Sequence, residues 1–363
     1  MKSLSLVVGA RPNFMKAAPL MAALAEHERL QAQLVHTGQH FDANMSDVFF
    51  KQLGMAEPDV YLDIHGGGAA SQVGRTILAL EDLWTVQRPH MVVVFGDVNA
   101  TLAAAVTANK LDLPLAHVEA GLRSFDRTMP EEHNRIVTDM LADLLFTPSP
   151  DADVNLENEG IPADRIHFVG NIMVDSLLRF REHAEGMAAW THYDLPPGEY
   201  GLVTLHRPSN VDIPDTLLSI VAALVDAQKQ APLLFPVHPR TAERLAKLGL
   251  DEELTQAGVR LVEPIGYLEF LSLMTRARYI LTDSGGIQEE STVLGLPCLT
   301  ARDNTERPIT LEEGGNRLVG STRAGILEGV EAVLAAEVAP RQPTYWDGQT
   351  AGRIARVLSE YFS

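Results

Sequence analysis

Residues Asp283-Ser284-Gly285-Gly286-Ile287-Gln288-Glu289-Glu290 decide how the chain is read. They follow an apolar run, Tyr279-Ile280-Leu281-Thr282, of the kind that forms a buried parallel strand. They lead into Ile287 to Leu294, whose apolar residues recur at helical spacing and stop at Gly295. A Ser-Gly-Gly turn that opens a helix offers N–H groups, the positive end of a helix dipole and a backbone that phosphate oxygens can approach. Ser284, Gly285 and Gly286 are therefore candidates for a phosphate cradle. Glu290, about a turn further on, is a candidate acceptor for sugar hydroxyls. The plainer reading is an ordinary strand-to-helix turn, and the stretch alone does not choose between the two.

Outward from that turn, strand-like and helix-like segments alternate along the whole chain, the mark of an α/β protein with parallel sheets. Candidate strands in the first half are 4–8, 33–36, 91–95, 115–118, 144–147 and 166–169. The second half repeats the pattern at 202–204, 233–236, 260–262, 279–281, 298–300 and 317–319. The expected architecture is two doubly wound Rossmann-like domains facing across a cleft. The first spans residues 1–170 and the second 171–345, with a hinge near Gly170 and a last helix, 351–363, packing back on the first. Ligands of such folds bind outside the carboxyl ends of the strands, so the strand ends are where chemistry is sought.

Composition narrows the possible functions. A chain of 363 residues has room for two ordinary domains, and 46% apolar with 21% charged residues suits a folded, soluble enzyme. The formal net charge of -19 argues against a nucleic-acid partner, which demands a basic face. Cys298 is the only cysteine, so no internal disulfide can form; it reads as a buried, inert strand residue. No apolar run reaches membrane-spanning length, and the N-terminal Leu4–Val8 is a first strand rather than a signal core. No membrane partner is expected, and a cytoplasmic location is.

The strand ends carry the candidates. Gly9 to Lys16 lacks the dinucleotide-binding glycine spacing but sets Arg11 at a strand tip and Lys16 one turn into a helix. Gly96-Asp97 follows the third strand, where Asp97 is an acid or simply a helix cap. Glu119, between Val118 and Ala120, is a carboxylate leaving an apolar strand among small residues. Glu131 opens a further helix after Pro130. Three carboxylates converging on one cleft would raise one another's pKa, which suits acid–base work near neutrality. The second half adds His206 and His238, each just past a short apolar strand, then Phe270 as a possible aromatic edge for a base, and Arg307. Metal readings are weak: His36 and His40 are separated by loop-like residues, and no Asp-x-Asp run occurs.

Taken in order, Gly9–Lys16, Gly96–Thr101, His117–Arg123, Pro130–Arg135, His206-Arg207, Pro236–His238, Asp283–Glu290 and Thr305–Pro308 resemble the non-hydrolysing UDP-N-acetylglucosamine 2-epimerases nearly end to end. The resemblance implies the two-domain GT-B fold and a UDP-sugar substrate, with no cofactor or metal and a homodimer. It implies reversible C2 epimerisation to UDP-N-acetylmannosamine by loss and re-addition of UDP through a 2-acetamidoglucal. On that basis Asp97, Glu119, Glu131 and His206 are catalytic. Arg11, Lys16, His238, Phe270, Ser284, Gly285, Gly286, Glu290 and Arg307 bind the substrate. The chain departs from substrate-activated bacterial members at Gly66–Ala70 and at Pro208, although Gln39 and His40 remain, so the regulatory site is expected to be incomplete. A relative acting on a UDP-2,3-diacetamido-2,3-dideoxy-uronic acid would share the same catalytic residues. A GT-B glycosyltransferase or a non-catalytic UDP-sugar sensor would share the cradle but have no use for three carboxylates. A hydrolysing relative would usually come fused to a kinase domain, for which the chain has no room.

Overall fold

The computed structural model describes residues 1–38, 57–335 and 342–363, apart from the side chain of Arg11. The chain divides into two compact units, Met1–Ser176 with Thr344–Ser363, and Leu177–Pro343. Each is built on one parallel sheet. The first contains β1 (Lys2–Val8), β2 (Leu30–His36), β3 (Val60–Tyr61), β4 (Met91–Phe95), β5 (Leu115–Val118), β6 (Leu144–Thr147) and β7 (Ile166–Phe168). Their spatial order is β3-β2-β1-β4-β5-β6-β7. The second contains β8 (Gly201–Thr204), β9 (Leu233–Pro236), β10 (Arg260–Val262), β11 (Tyr279–Thr282), β12 (Cys298–Thr300) and β13 (Asn316–Leu318), in the order β10-β9-β8-β11-β12-β13. The expected α/β class and doubly wound pattern are therefore present in both halves.

The sequence explains these sheets. Helices cover both faces of a doubly wound sheet, so its central strands must be apolar throughout. Met91–Phe95 is wholly buried, and β4 lies at the centre between β1 and β5. Strand β3 has no counterpart among the expected strands. It is a two-residue edge strand, half-buried at Val60 and exposed at Tyr61, too short for alternation to be visible. Cys298 lies fully buried in β12, where desolvation pushes its thiol up to about 11 and keeps it unreactive.

Strand order locates the ligand positions. In each sheet the order reverses beside the first strand, between β1 and β4 and again between β8 and β11. Diverging connections at such a point leave a crevice beyond the strand tips. Gly9–Lys16 and Gly96–Asn99 lie at the first point, and Leu205–Arg207 and Asp283–Gly286 at the second.

The last segment belongs to the first unit. Asp175, on the helix Ile172–Met187, accepts hydrogen bonds from the Thr350 N–H at 2.8 Å and 2.9 Å and so caps the helix Thr350–Tyr361. Trp346 donates to the Pro148 carbonyl at 2.9 Å. Gly170, at φ 92°, lies so close under Tyr345 that a Cβ would fall 2.1 Å from the Tyr345 oxygen. Only glycine fits there.

Candidate functional site

In the first unit the two diverging strands are held by Asn13. Its Oδ1 accepts from the Gly9 and Ala10 N–H groups, and its Nδ2 donates to the Phe95 carbonyl at 3.0 Å. This fixes the start of the helix Arg11–Ala25, which carries Lys16. Lys16 is buried and its Nζ pairs with the Glu119 carboxylate. Both groups lie over Gly96: a Cβ there would come 2.9 Å from Nζ and 3.2 Å from Oε2 of Glu119. Glu119 itself has φ 72°, a left-handed conformation uncommon for any residue with a side chain.

That conformation is clamped on both sides. Two residues before it, His117 places one ring nitrogen 2.6 Å from Asp139 Oδ1 and the other 2.8 Å from the Gly96 carbonyl. Two residues after it, the Gly121 N–H donates to Asp139 Oδ2 at 3.1 Å. Arg123 closes the chain, pairing with Asp139 at 2.8 Å and with Glu159 at 2.6 Å. Burial alone would push the Asp139 carboxyl up. The charge and hydrogen bond of His117, and then those of Arg123, outweigh it and hold that carboxyl below its usual range.

Asp97 lies against Arg135, whose Nε and Nη2 reach Oδ2 at 2.9 Å and 2.8 Å, while Asn134 donates to the Asp97 carbonyl at 2.8 Å. Both partners come from the helix Pro130–Leu141. Glu132 on the same helix is buried and fully occupied, accepting from the Ser124 and Phe125 N–H groups and from Arg135. Glu131, one position earlier, is exposed. The expected mutual approach of the carboxylates is replaced by pairing: Asp97 and Glu119 each face a cation. A buried carboxylate is far cheaper to keep beside a cation than beside another carboxylate.

In the second unit the organising residue is Asp283. It is fully buried at the tip of β11 and accepts from the backbone N–H of His206 at 3.0 Å and of Arg207 at 2.9 Å, and from Asn210 Nδ2 at 3.1 Å. It also meets His206 Nδ1 at 2.9 Å. Burial would raise its carboxyl, but the His206 hydrogen bond and charge, with these N–H donors, hold it low. The His206 ring lies 5.9 Å from that of His238.

Beyond Asp283, Ser284 stands at the N-cap position of the helix Gly285–Leu294 without a side-chain capping hydrogen bond. The two glycines of the turn serve different ends. A Cβ on Gly285 would strike Arg307 Nη1 at 2.4 Å and Glu306 Oε1 at 2.6 Å, so this glycine makes room for the arginine. A Cβ on Gly286 would meet nothing within 4 Å, and its backbone borders open space. Arg307 pairs with Glu289 at 2.7 Å and Glu306 at 2.5 Å. Glu290 is buried on the same helix, and Phe270 is half-buried on the helix Tyr267–Met274 against the core of that unit.

Each of these residues thus lies beside a strand tip or on a helix following one. Gln39 and His40 fall outside the described residues, as does the side chain of Arg11. Asn13, Arg135, Asp139 and Asp283 are working parts that the sequence does not single out. The first, second and last lie inside stretches already singled out. Asp139 had no local signal at all.

Known proteins resemble this chain in sequence and fold. Residues 22–359 match a family model described as UDP-N-acetylglucosamine 2-epimerase. The chain is 45% identical to the UDP-2,3-diacetamido-2,3-dideoxy-D-glucuronate 2-epimerase of Pseudomonas aeruginosa, over 98% of each protein. It is 40% identical to the UDP-N-acetylglucosamine 2-epimerase of Methanocaldococcus jannaschii, again over 98% of each. The crystal structure of the latter enzyme with UDP-N-acetylglucosamine and UDP superposes with a TM-score of 0.92 over 99% of both chains. That of the Neisseria meningitidis enzyme bound to UDP-N-acetylglucosamine gives 0.86 at 28% identity, covering 100% of this chain and 99% of the other.

Proposed function

The chain belongs to the UDP-N-acetylglucosamine 2-epimerase family, and on that premise we propose that it interconverts UDP-N-acetylglucosamine and UDP-N-acetylmannosamine. The observation that carries the reading is the Lys16–Glu119 pair, set over Gly96 with Glu119 held in the left-handed region. A conformation that costs on the order of 1–3 kcal/mol persists where surrounding contacts over-determine it, as the His117 and Gly121 clamp does here, and such conformations cluster at active sites. In the proposed reaction a carboxylate takes the C2 proton. The C–H electron pair becomes the C1=C2 bond as the C1–O bond breaks, and the departing pair goes to the diphosphate oxygen. Re-addition reverses each step, with the proton returned to the opposite face of C2.

Asp97, Glu119 and Glu131 are proposed for the proton transfers. His206 supports the departing diphosphate, and Ser284, Gly286 and the free N–H groups opening the helix Gly285–Leu294 hold it. Gly285 contributes by admitting Arg307. Glu290 is assigned to the ribose, Phe270 to the uracil, and Arg11, Lys16, His238 and Arg307 to the phosphates and sugar. The homodimer and the cytoplasmic setting expected from the resemblance belong to the same proposal, and sedimentation velocity tests the first.

A second reading keeps the chemistry and changes the sugar to a UDP-diacetamido-uronic acid; the 45% identical relative favours it. The family model, whose description names UDP-N-acetylglucosamine, supports the uncharged sugar. Incubation with each UDP-sugar in D₂O, followed by NMR, separates the readings. Deuterium at C2 of both epimers of UDP-N-acetylglucosamine, without net UDP release, is expected. Exchange only with the uronic substrate moves the assignment, and exchange with neither overturns it.

A further inference from the structure

His206 and His238 stand side by side, but the two rings are held by opposite kinds of partner. His238 caps the helix Pro239–Leu248, and its Nδ1 accepts the Arg240 backbone N–H at 3.2 Å. An amide N–H can only donate, so His238 Nδ1 carries a lone pair and any proton on the neutral ring sits on Nε2. His206 is the reverse. Its Nδ1 lies 2.9 Å from Asp283, a buried carboxylate whose other contacts, from His206 N, Arg207 N and Asn210 Nδ2, are all donors. A carboxylate that only accepts fixes the proton on His206 Nδ1 and turns Nε2 outward. His206 is 44% exposed at its side chain and His238 is exposed, so both outer nitrogens are accessible within this unit.

We propose that the two histidines are locked in opposite tautomers, His206 protonated at Nδ1 and His238 at Nε2, so that together they present one proton-exchanging nitrogen and one fixed hydrogen-bond donor to the oxygens of a diphosphate. This deepens the function proposed above and rests on it for the identity of the ligand. His206 Nε2, when protonated, gives its proton to the oxygen that leaves C1. The ring becomes neutral without rearranging, because Nδ1–H stays on Asp283. His238 is biased toward its neutral form: partial desolvation of the ring lowers its pKa, as do the neighbouring charges of His206 and Arg240, against a smaller opposite pull from Asp283. With Nδ1 occupied by the Arg240 N–H, its Nε2–H is assigned to orienting the phosphate.

Two measurements test this on the full chain. The first is a long-range proton–nitrogen NMR correlation of the histidine-labelled protein, at a pH where both rings are neutral, which reads the tautomers directly. Opposite tautomers are expected; the same tautomer in both rings, or an average of the two in either, overturns the proposal. The second compares UDP affinity by calorimetry in His238→Gln and His238→Asn. A glutamine amide reaches the position of Nε2 and an asparagine amide that of Nδ1. His238→Asn should therefore bind UDP about tenfold more weakly than His238→Gln, the worth of one hydrogen bond to a charged group. Equal losses in the two variants overturn the assigned donor. Asp283→Asn, if it folds, should release the His206 tautomer and lower turnover more than UDP affinity; the spectrum of the unmodified protein decides the matter if it does not. Failure of the epimerase reading is distinguishable, because turnover would then be absent while the tautomers stand.

Discussion

Glu119 combines a left-handed backbone, near-complete burial and a lysine partner, and each property constrains what can replace it. Glu119→Gln keeps the shape and removes the charge. It should abolish C2 deuterium exchange while leaving UDP affinity, measured by calorimetry, within about threefold, since the groups proposed for the uracil, the ribose and the helix-end phosphate cradle lie on the other unit. A lost UDP affinity would contradict the role. Gly96→Ala tests the same pair from below: its Cβ would meet Lys16 Nζ at 2.9 Å on a backbone at φ 60°. Turnover should fall by about 10²-fold or more, because displacing a reacting group by an ångström costs that much. Glu119 was legible in the sequence because a carboxylate between Val118 and Ala120 has no packing reason to be there. The part played by Asp283 is not legible there, since it depends on His206 and Asn210, more than seventy residues away.

At the scale of elements, the helix Pro130–Leu141 inverts the usual pattern. Glu132, Asn134, Arg135, Thr138 and Asp139 are buried, whereas Val137 and Met140 are exposed. Hydrophobic periodicity would have turned it the other way. Its polar face is inside because Asp97, His117 and Arg123 supply partners there. Asp139→Asn should cost on the order of 3–5 kcal/mol in chemical denaturation, the usual result of breaking one side of a buried charge network. Since the folded Asp139 pKa lies below the unfolded 3.8, its contribution is complete above that value and fades as pH falls through the folded pKa.

Asp175, the cap of the last helix, runs oppositely. Burial lifts it from 3.8 to about 6, against the hydrogen bonds from Ala351 and Thr350. A folded state that binds the proton more tightly than the unfolded one loses stability as pH rises from 3.8 to about 6, here on the order of 2–3 kcal/mol. Asp175→Asn keeps an acceptor for the Thr350 N–H, and should remove that component of the pH dependence of thermal unfolding.

For the whole molecule, two sheets share one strand order over six strands, the first adding β7 at its edge, and each sets its candidate residues at its own switch point. The chain's end complicates this division, because residues 344–363 return to the first unit. Deleting them should expose the core facing Ile354 and Leu358, both fully buried. Hydrogen exchange should then rise across the first unit while UDP affinity in the second is retained; loss of both together would show the units unfolding as one. The sequence by itself determined the α/β class, nearly all the strands and the functional stretches, because these depend on apolar periodicity and on glycines and charges at strand ends, which are local. Tertiary structure alone decided which cation faces which carboxylate and which nitrogen of each histidine carries a proton. It also decided why Gly285 and Gly286 differ. Those outcomes depend on partners brought together from distant positions, and no local pattern encodes a neighbour that only folding supplies.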